Sequence, residues 1–100
     1  MLHIVDTVEV EPAETDGYVD AVHELGVPVM ADAGASLVWC GATPRHIGEP
    51  VWVQVVWAVD GFERWNEVRR DLVLDPRWYE YGARVAALRR GGTRRFYATA

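Results

Sequence analysis

The stretch VWVQVVWAVD, residues 51–60, is apolar at both parities. Val51, Val53, Val55, Trp57 and Val59 point to one side of an extended chain. Trp52, Val56 and Ala58 point to the other side, with Gln54 among them. A strand that is apolar on both faces needs cover on both faces. Residues 2–11, LHIVDTVEVE, predict a second strand, rich in β-branched residues. One parity there carries Leu2, Ile4, Asp6, Val8 and Val10; the other carries His3, Val5, Thr7, Glu9 and Glu11. Pro12 ends that strand, and Thr15 or Asp16 offers a helix N-cap. Tyr18, Val22 and Leu25 follow at helical spacing. Gly26 and Pro28 interrupt the helix, and VPVMADAG predicts one or two further turns closed by Gly34.

Ser36–Gly41 predicts a short strand, and residues 42–50, with two prolines and a glycine, predict a loop. Asp60–Gly61 turns the chain after the third strand. Phe62, Trp65, Val68, Arg69 and Leu72 then share a helix face. Asp75 is a good N-cap and Pro76 a good first helical residue for a segment carrying Trp78, Tyr81, Val85 and Leu88. Gly91–Gly92 stops that helix, and TRRFYATA is the last strand. The order is βαββαβ with the second helix broken in two. It predicts an α+β, ferredoxin-like fold over residues 1–100 as one domain, with an antiparallel sheet and helices on one face. Helices then cover only one side of the third strand. A second copy of the chain is the expected cover for the other, giving a homodimeric α+β barrel.

Half of the residues are hydrophobic, enough for a core without disulfides or metal. The single cysteine, Cys40, and three scattered histidines make no metal pattern. Residues 1–44 carry eight acids and no base, whereas residues 45–100 carry ten arginines against seven acids. That asymmetry suits self-association better than nucleic-acid binding. No lysine is present, which excludes Schiff-base chemistry on a lysine amine. No nucleotide loop or H-E-x-x-H motif occurs, so neither a cofactor nor a metal is expected. The first ten residues do not read as a signal peptide, and nothing approaches a membrane span; a cytoplasmic location is the expectation.

The runs AGASLVWCGATP, VWVQVVWAVDGFERW and LVLDPRWYEY resemble NIPSNAP-like proteins of the dimeric α+β barrel superfamily. The similar features are a strand ending in Trp plus a short aspartate turn, here Trp57–Asp60, and a D-P-x-W helix start, here Asp75–Trp78. Related barrels include antibiotic-biosynthesis monooxygenases, haem-degrading enzymes and a plant polyketide cyclase. The resemblance implies a pocket between sheet and helices, lined by a histidine at the start of strand one, as at His3. Trp78 stands where the cyclase has a second, acid–base histidine. On the same analogy Trp52, Gln54 and Val56 face the helices, and Val51, Val53, Val55 and Trp57 form the dimer core.

His3 is then the candidate general acid or base, by its titration range. Gln54 is the candidate orienter of a ligand carbonyl, because a buried amide needs a partner. Asp6, alone among apolar neighbours, is either a catalytic acid or a structural ion-pair partner of Arg94 or Arg95 at the dimer interface. Trp52, Trp78, Tyr18 and Tyr81 are candidate walls for a planar, mostly apolar ligand, and His46 could fold over the pocket mouth. Two functions fit. The first is a cofactor-independent enzyme of small-molecule biosynthesis, working by cyclisation, isomerisation or oxygenation on an apolar aromatic or polyketide-like substrate. The second is a non-catalytic small-ligand-binding or assembly module.

Overall fold

The first strand, β1 (Leu2–Val10), buries Leu2, Ile4, Val8 and Val10 to 1% exposure or less. Alternate residues share a face, so this parity fixes the core side of the whole sheet. β3 (Val51–Val59) pairs antiparallel with it, setting Leu2 opposite Val59, Ile4 opposite Trp57, Val8 opposite Val53 and Val10 opposite Val51. Directly opposed residues lie on one face, so the odd-numbered residues of β3 join the core. β4 (Arg89–Ala98) flanks β1 on the other edge, and β2 (Ser36–Ala42) flanks β3. The order β2-β3-β1-β4 is that of an antiparallel ferredoxin-like sheet. The structure is a computed structural model and describes residues 1–99.

The helices lie on that one face. α1 (Thr15–Ala21) continues through a π-helical turn (Val22–Gly26) into α2 (Val27–Ala33). The expected interruption at Gly26 and Pro28 is thus a widened turn inside one continuous helical run. Pro28 has no N–H for the Glu24 carbonyl, and its ring would crowd that carbonyl in a regular α-turn; the π-turn accommodates both effects. Gly34, at φ 113°, closes the run, with the Ala35 N–H reaching the Met30 carbonyl at 2.8 Å. α3 (Gly61–Val73) buries Trp65, Val68 and Leu72. α4 (Pro76–Leu88) starts at the expected cap, where the Asp75 carboxylate accepts from the Arg77 N–H at 2.9 Å. Gly91 and Gly92 do not stop this helix. They lie within β4, where a Cβ on Gly92 would come within 2.8 Å of the Thr7 carbonyl. Among the described residues no helix is long and apolar enough to cross a membrane.

The molecule is 18 Å deep along its shortest axis, room for one sheet and one helix layer. The other sheet face stays open. It carries His3, Val5 and Thr7 from β1, Trp52, Gln54, Val56 and Ala58 from β3, and Arg95 and Tyr97 from β4. Trp39 lies on this face too, opposite Val56 and folded over Gly41, where any Cβ would collide with its ring.

The facing of β3 is therefore the reverse of the expected one. Val51, Val53, Val55 and Trp57 pack under the helices, while Trp52, at 45% exposure, and Gln54 face outward. The reason is cross-strand pairing. Gln54 sits opposite Thr7 and Trp52 opposite Glu9, on the polar parity of β1.

Candidate functional site

Asp6 is the one polar residue on the core parity of β1, and β4 sets Arg94 opposite it. The Arg94 Nε donates to Asp6 Oδ1 at 2.6 Å and its Nη2 to Oδ2 at 3.0 Å. This bidentate pair keeps the Asp6 side chain at 18% exposure. The Arg94 guanidinium also lies 5.9 Å from the Trp65 ring centroid. Asp6 bonding holds Arg94 above the usual arginine range. The pair forms as expected with Arg94, but under the helices rather than on the open face where a partner subunit would dock.

Above this pair the helices leave a cleft of about 400 Å³. Tyr18 from α1 and Trp78, Tyr81 and Gly82 from α4 wall it, and Asp6, Arg89 and Arg94 supply its charge. Tyr18 is 3% exposed and Tyr81 8%. Neither hydroxyl has a hydrogen-bond partner among the described side chains and backbone, and no fully sealed side-chain oxygen lacks one; both therefore open onto the cleft. Burial pushes the Tyr18 phenol up to about 12. Burial, and then the neighbouring Tyr18 and Asp6, push Tyr81 up as well. Both phenols are thus proton donors through the neutral range. The Trp78 and Tyr81 rings stand 6.0 Å apart at 51° and form one aromatic wall. A smaller annex of about 140 Å³, lined by Trp65, Arg69, Leu72 and Val73, shares Trp78 and Arg94 with the cleft.

Two glycines shape the cleft, and sequence reasoning missed both roles. At Gly26, in the π-turn, a Cβ would lie 2.8 Å from Tyr81 Cζ, so this position seats the Tyr81 ring. Gly82 is the opposite case. A Cβ there would meet nothing within 4 Å, and a mid-helix glycine costs roughly 1 kcal/mol relative to alanine. No packing neighbour requires that glycine; what its missing side chain leaves is open cleft. Arg89 was missed too. Its signal was the cluster of four arginines, Arg89, Arg90, Arg94 and Arg95, around the last strand.

The other expected site residues do not join this cleft. His3 pairs across to Ala58 and Tyr97 on the open face, and Gln54 lies there in a shallow depression with Thr7, Trp39 and Trp52. His46 lines a separate surface hollow of about 380 Å³ with Pro44, Glu49 and Trp52. The pocket expected to unite His3, Gln54, Trp52 and Trp78 is thus divided by the sheet. Burial raises the Cys40 thiol, so it is not activated. Among the described residues no group of three or more His, Cys, Asp or Glu side chains is placed to hold a metal ion. Another depression, about 680 Å³, runs along the outside of α3 between Glu63, Glu67, Arg69 and Arg70. It is a solvated, charged helix face without converging groups.

The sequence matches no protein-family model and no curated protein. The structure does find relatives. A NIPSNAP domain protein from Burkholderia xenovorans superposes with a TM-score of 0.82 at 20% identity, over 100% of this chain and 95% of that one. A NIPSNAP family protein of unknown function from Agrobacterium tumefaciens gives 0.76 at 21%, over 100% and 88%. A mutant of SnoaB, a cofactor-independent oxygenase from Streptomyces nogalater, gives 0.60 at 13%, over 98% and 91%. The fold of this chain is the ferredoxin-like fold of NIPSNAP domain proteins, shared at greater distance with that oxygenase.

Proposed function

We propose that this chain is an enzyme of small-molecule metabolism that acts on an apolar or aromatic ligand by acid–base chemistry, without a resident cofactor. The observation that carries the reading is the convergence of two phenol hydroxyls on a cleft lined by Asp6 and Arg94: both tyrosines are buried, and their hydroxyls open onto the cleft without a protein partner. Tyr18 and Tyr81 donate hydrogen bonds to a ligand carbonyl and stabilise the charge that develops on it. Asp6, held in place by Arg94, is the proton acceptor. The acid–base role expected of His3 passes to these three groups. The likeness to a cofactor-independent oxygenase supports the enzyme class by analogy of fold.

The bidentate engagement of Asp6 favours a second reading, a binding module in which Asp6–Arg94 is structural. One experiment separates the two. The ligand is identified by mass spectrometry of freshly purified protein, and turnover is compared in Tyr18→Phe, Tyr81→Phe and Asp6→Asn. Loss of a general acid or base lowers turnover by about 10²–10⁴. Full turnover in all three variants sinks the proposal, and ligand retention without any turnover selects the binding module.

We also propose that the open sheet face is covered by a second copy of the chain. Trp39 and Trp52 are about half exposed there beside Val56 and Ala58, a patch with no cover within the subunit. Light scattering of a well-folded monomer at micromolar concentration would end this reading.

A further inference from the structure

Arg89 stands apart from its neighbours Arg90 and Arg94 on the last strand. Arg94 is neutralised by Asp6, and Arg90, next in sequence, pairs with Glu11 at 2.8 Å. Arg89 lines the cleft and has no carboxylate within salt-bridge distance among the described residues. The backbone places it there. β4 runs in regular register from Ala98 opposite Leu2 to Gly91 opposite Glu9, and then slips by one residue, so that Val10 pairs with Arg89 instead of Arg90. Val10 belongs to the core parity. The bulge therefore turns Arg89, and not Arg90, toward the helices, the re-aiming that such bulges produce. With Asp6 and Arg94 cancelling, the charged groups of the cleft leave one positive charge over, in a protein of net charge −5.

We infer that the cleft takes a ligand carrying a carboxylate, bound by Arg89, while the phenols of Tyr18 and Tyr81 meet a carbonyl or hydroxyl oxygen of the same molecule. This rests on the reading of the cleft as the ligand site, and it names the ligand class: a planar aromatic acid with a second oxygen function. A guanidinium is suited to this task, because its planar donors match a carboxylate and it stays charged at every relevant pH. The aromatic wall of Trp78 and Tyr81 takes the ring.

The test uses 6-hydroxy-2-naphthoate and its neutral methyl ester as probes, titrated by tryptophan fluorescence at pH 7.5 and low salt. The acid is expected to bind at least tenfold tighter than the ester. Arg89→Gln should remove that preference by weakening the acid and leaving the ester unchanged. Arg89→Lys should keep part of the preference, which separates charge recognition from a folding defect. Tyr18→Phe should weaken both probes. Equal binding of acid and ester, with Tyr18→Phe still weakening both, overturns the carboxylate assignment and leaves the cleft reading intact. Failure of both probes to bind at millimolar concentration overturns the assignment and the cleft reading together.

Discussion

The two faces of the sheet both carry apolar residues along β3, five on one and three on the other, and have opposite physical roles. Val51, Val53, Val55, Trp57 and Val59 are sealed under the helices at 2% exposure or less. One residue away in each case, Trp52, Gln54, Val56 and Ala58 look outward. Hydrophobicity does not distinguish the two sets; the partner strand does. On the helix side β1 contributes Leu2, Ile4, Val8 and Val10, and on the open side His3, Thr7 and Glu9. The only charged side chain that β1 sends to the helix side is Asp6, and there the cleft forms. A polar group in an apolar layer is thus the pointer to the proposed site, where a histidine on a polar face is not.

The largest effect that separates the faces is charge insertion at neighbouring positions of β3. Val53→Asp should abolish folding, because an unpaired carboxylate in that core costs more than about 4 kcal/mol. Trp52→Asp should keep the circular dichroism spectrum and a cooperative melt, and act on assembly alone. A folded Val53→Asp protein would mean that the core side has been assigned wrongly.

Next in size is the ion pair at the cleft floor. Asp6→Asn leaves Arg94 half-buried without its carboxylate. Discounted for the solvent that reaches Arg94, the loss should be about 1–2 kcal/mol by denaturant titration. His3→Ala, on the open face, should leave monomer stability within about 0.5 kcal/mol of wild type.

The two cleft glycines should respond with opposite signs. Gly26→Ala drives a methyl into the Tyr81 ring, and overpacking of about 1–3 kcal/mol outweighs the helix-propensity gain. Gly82→Ala should stabilise by up to about 1 kcal/mol, since its Cβ enters open space. Gly82→Leu should stay folded and lose ligand. Thermal melts of the three variants give the signs directly.

The smallest effect is an alkaline one. Tyr18 titrates near 12 when folded, against 10.0 for an unperturbed phenol. Above pH 10 the unfolded chain loses a proton that the folded chain keeps, so unfolding is favoured progressively up to about pH 12. Below pH 10 the contribution is constant. Tyr18→Phe should make the fall of stability over that window shallower; an unchanged slope would show that the phenol is not held protonated by burial.

Much of the fold was legible in the residues. The βαββαβ order follows from the period changes at Pro12, Ser36, Val51 and Asp60, and the cap at Asp75–Pro76 is formed as its residue types require. The side that β3 presents is not legible from β3 alone, and the fold analogy applied to that strand by itself gives the wrong face. The alternation in β1 holds the answer, since opposed residues must share a face. Of the residues that line the proposed site, Asp6, Tyr18, Trp78 and Tyr81 were legible as candidates, and Arg94 as the partner of Asp6. Gln54 and Trp52 join them only through that error of facing; His3 was placed with them by the resemblance at the start of strand one, and His46 by its loop. The aim of Arg89 and the seating of Tyr81 on Gly26 were not legible. Each depends on a backbone irregularity, a bulge and a π-turn, that leaves no periodic trace in the sequence.

The central claim is that ligand binds under the helices and not on the open face. A ¹H–¹⁵N NMR titration with 6-hydroxy-2-naphthoate tests it most directly. Shifts concentrated at the amides of Tyr18, Gly82, Gly92 and Arg94, with His3, Gln54 and Tyr97 still, are the predicted result. Shifts concentrated at His3, Gln54 and Tyr97, with the cleft amides still, would contradict it.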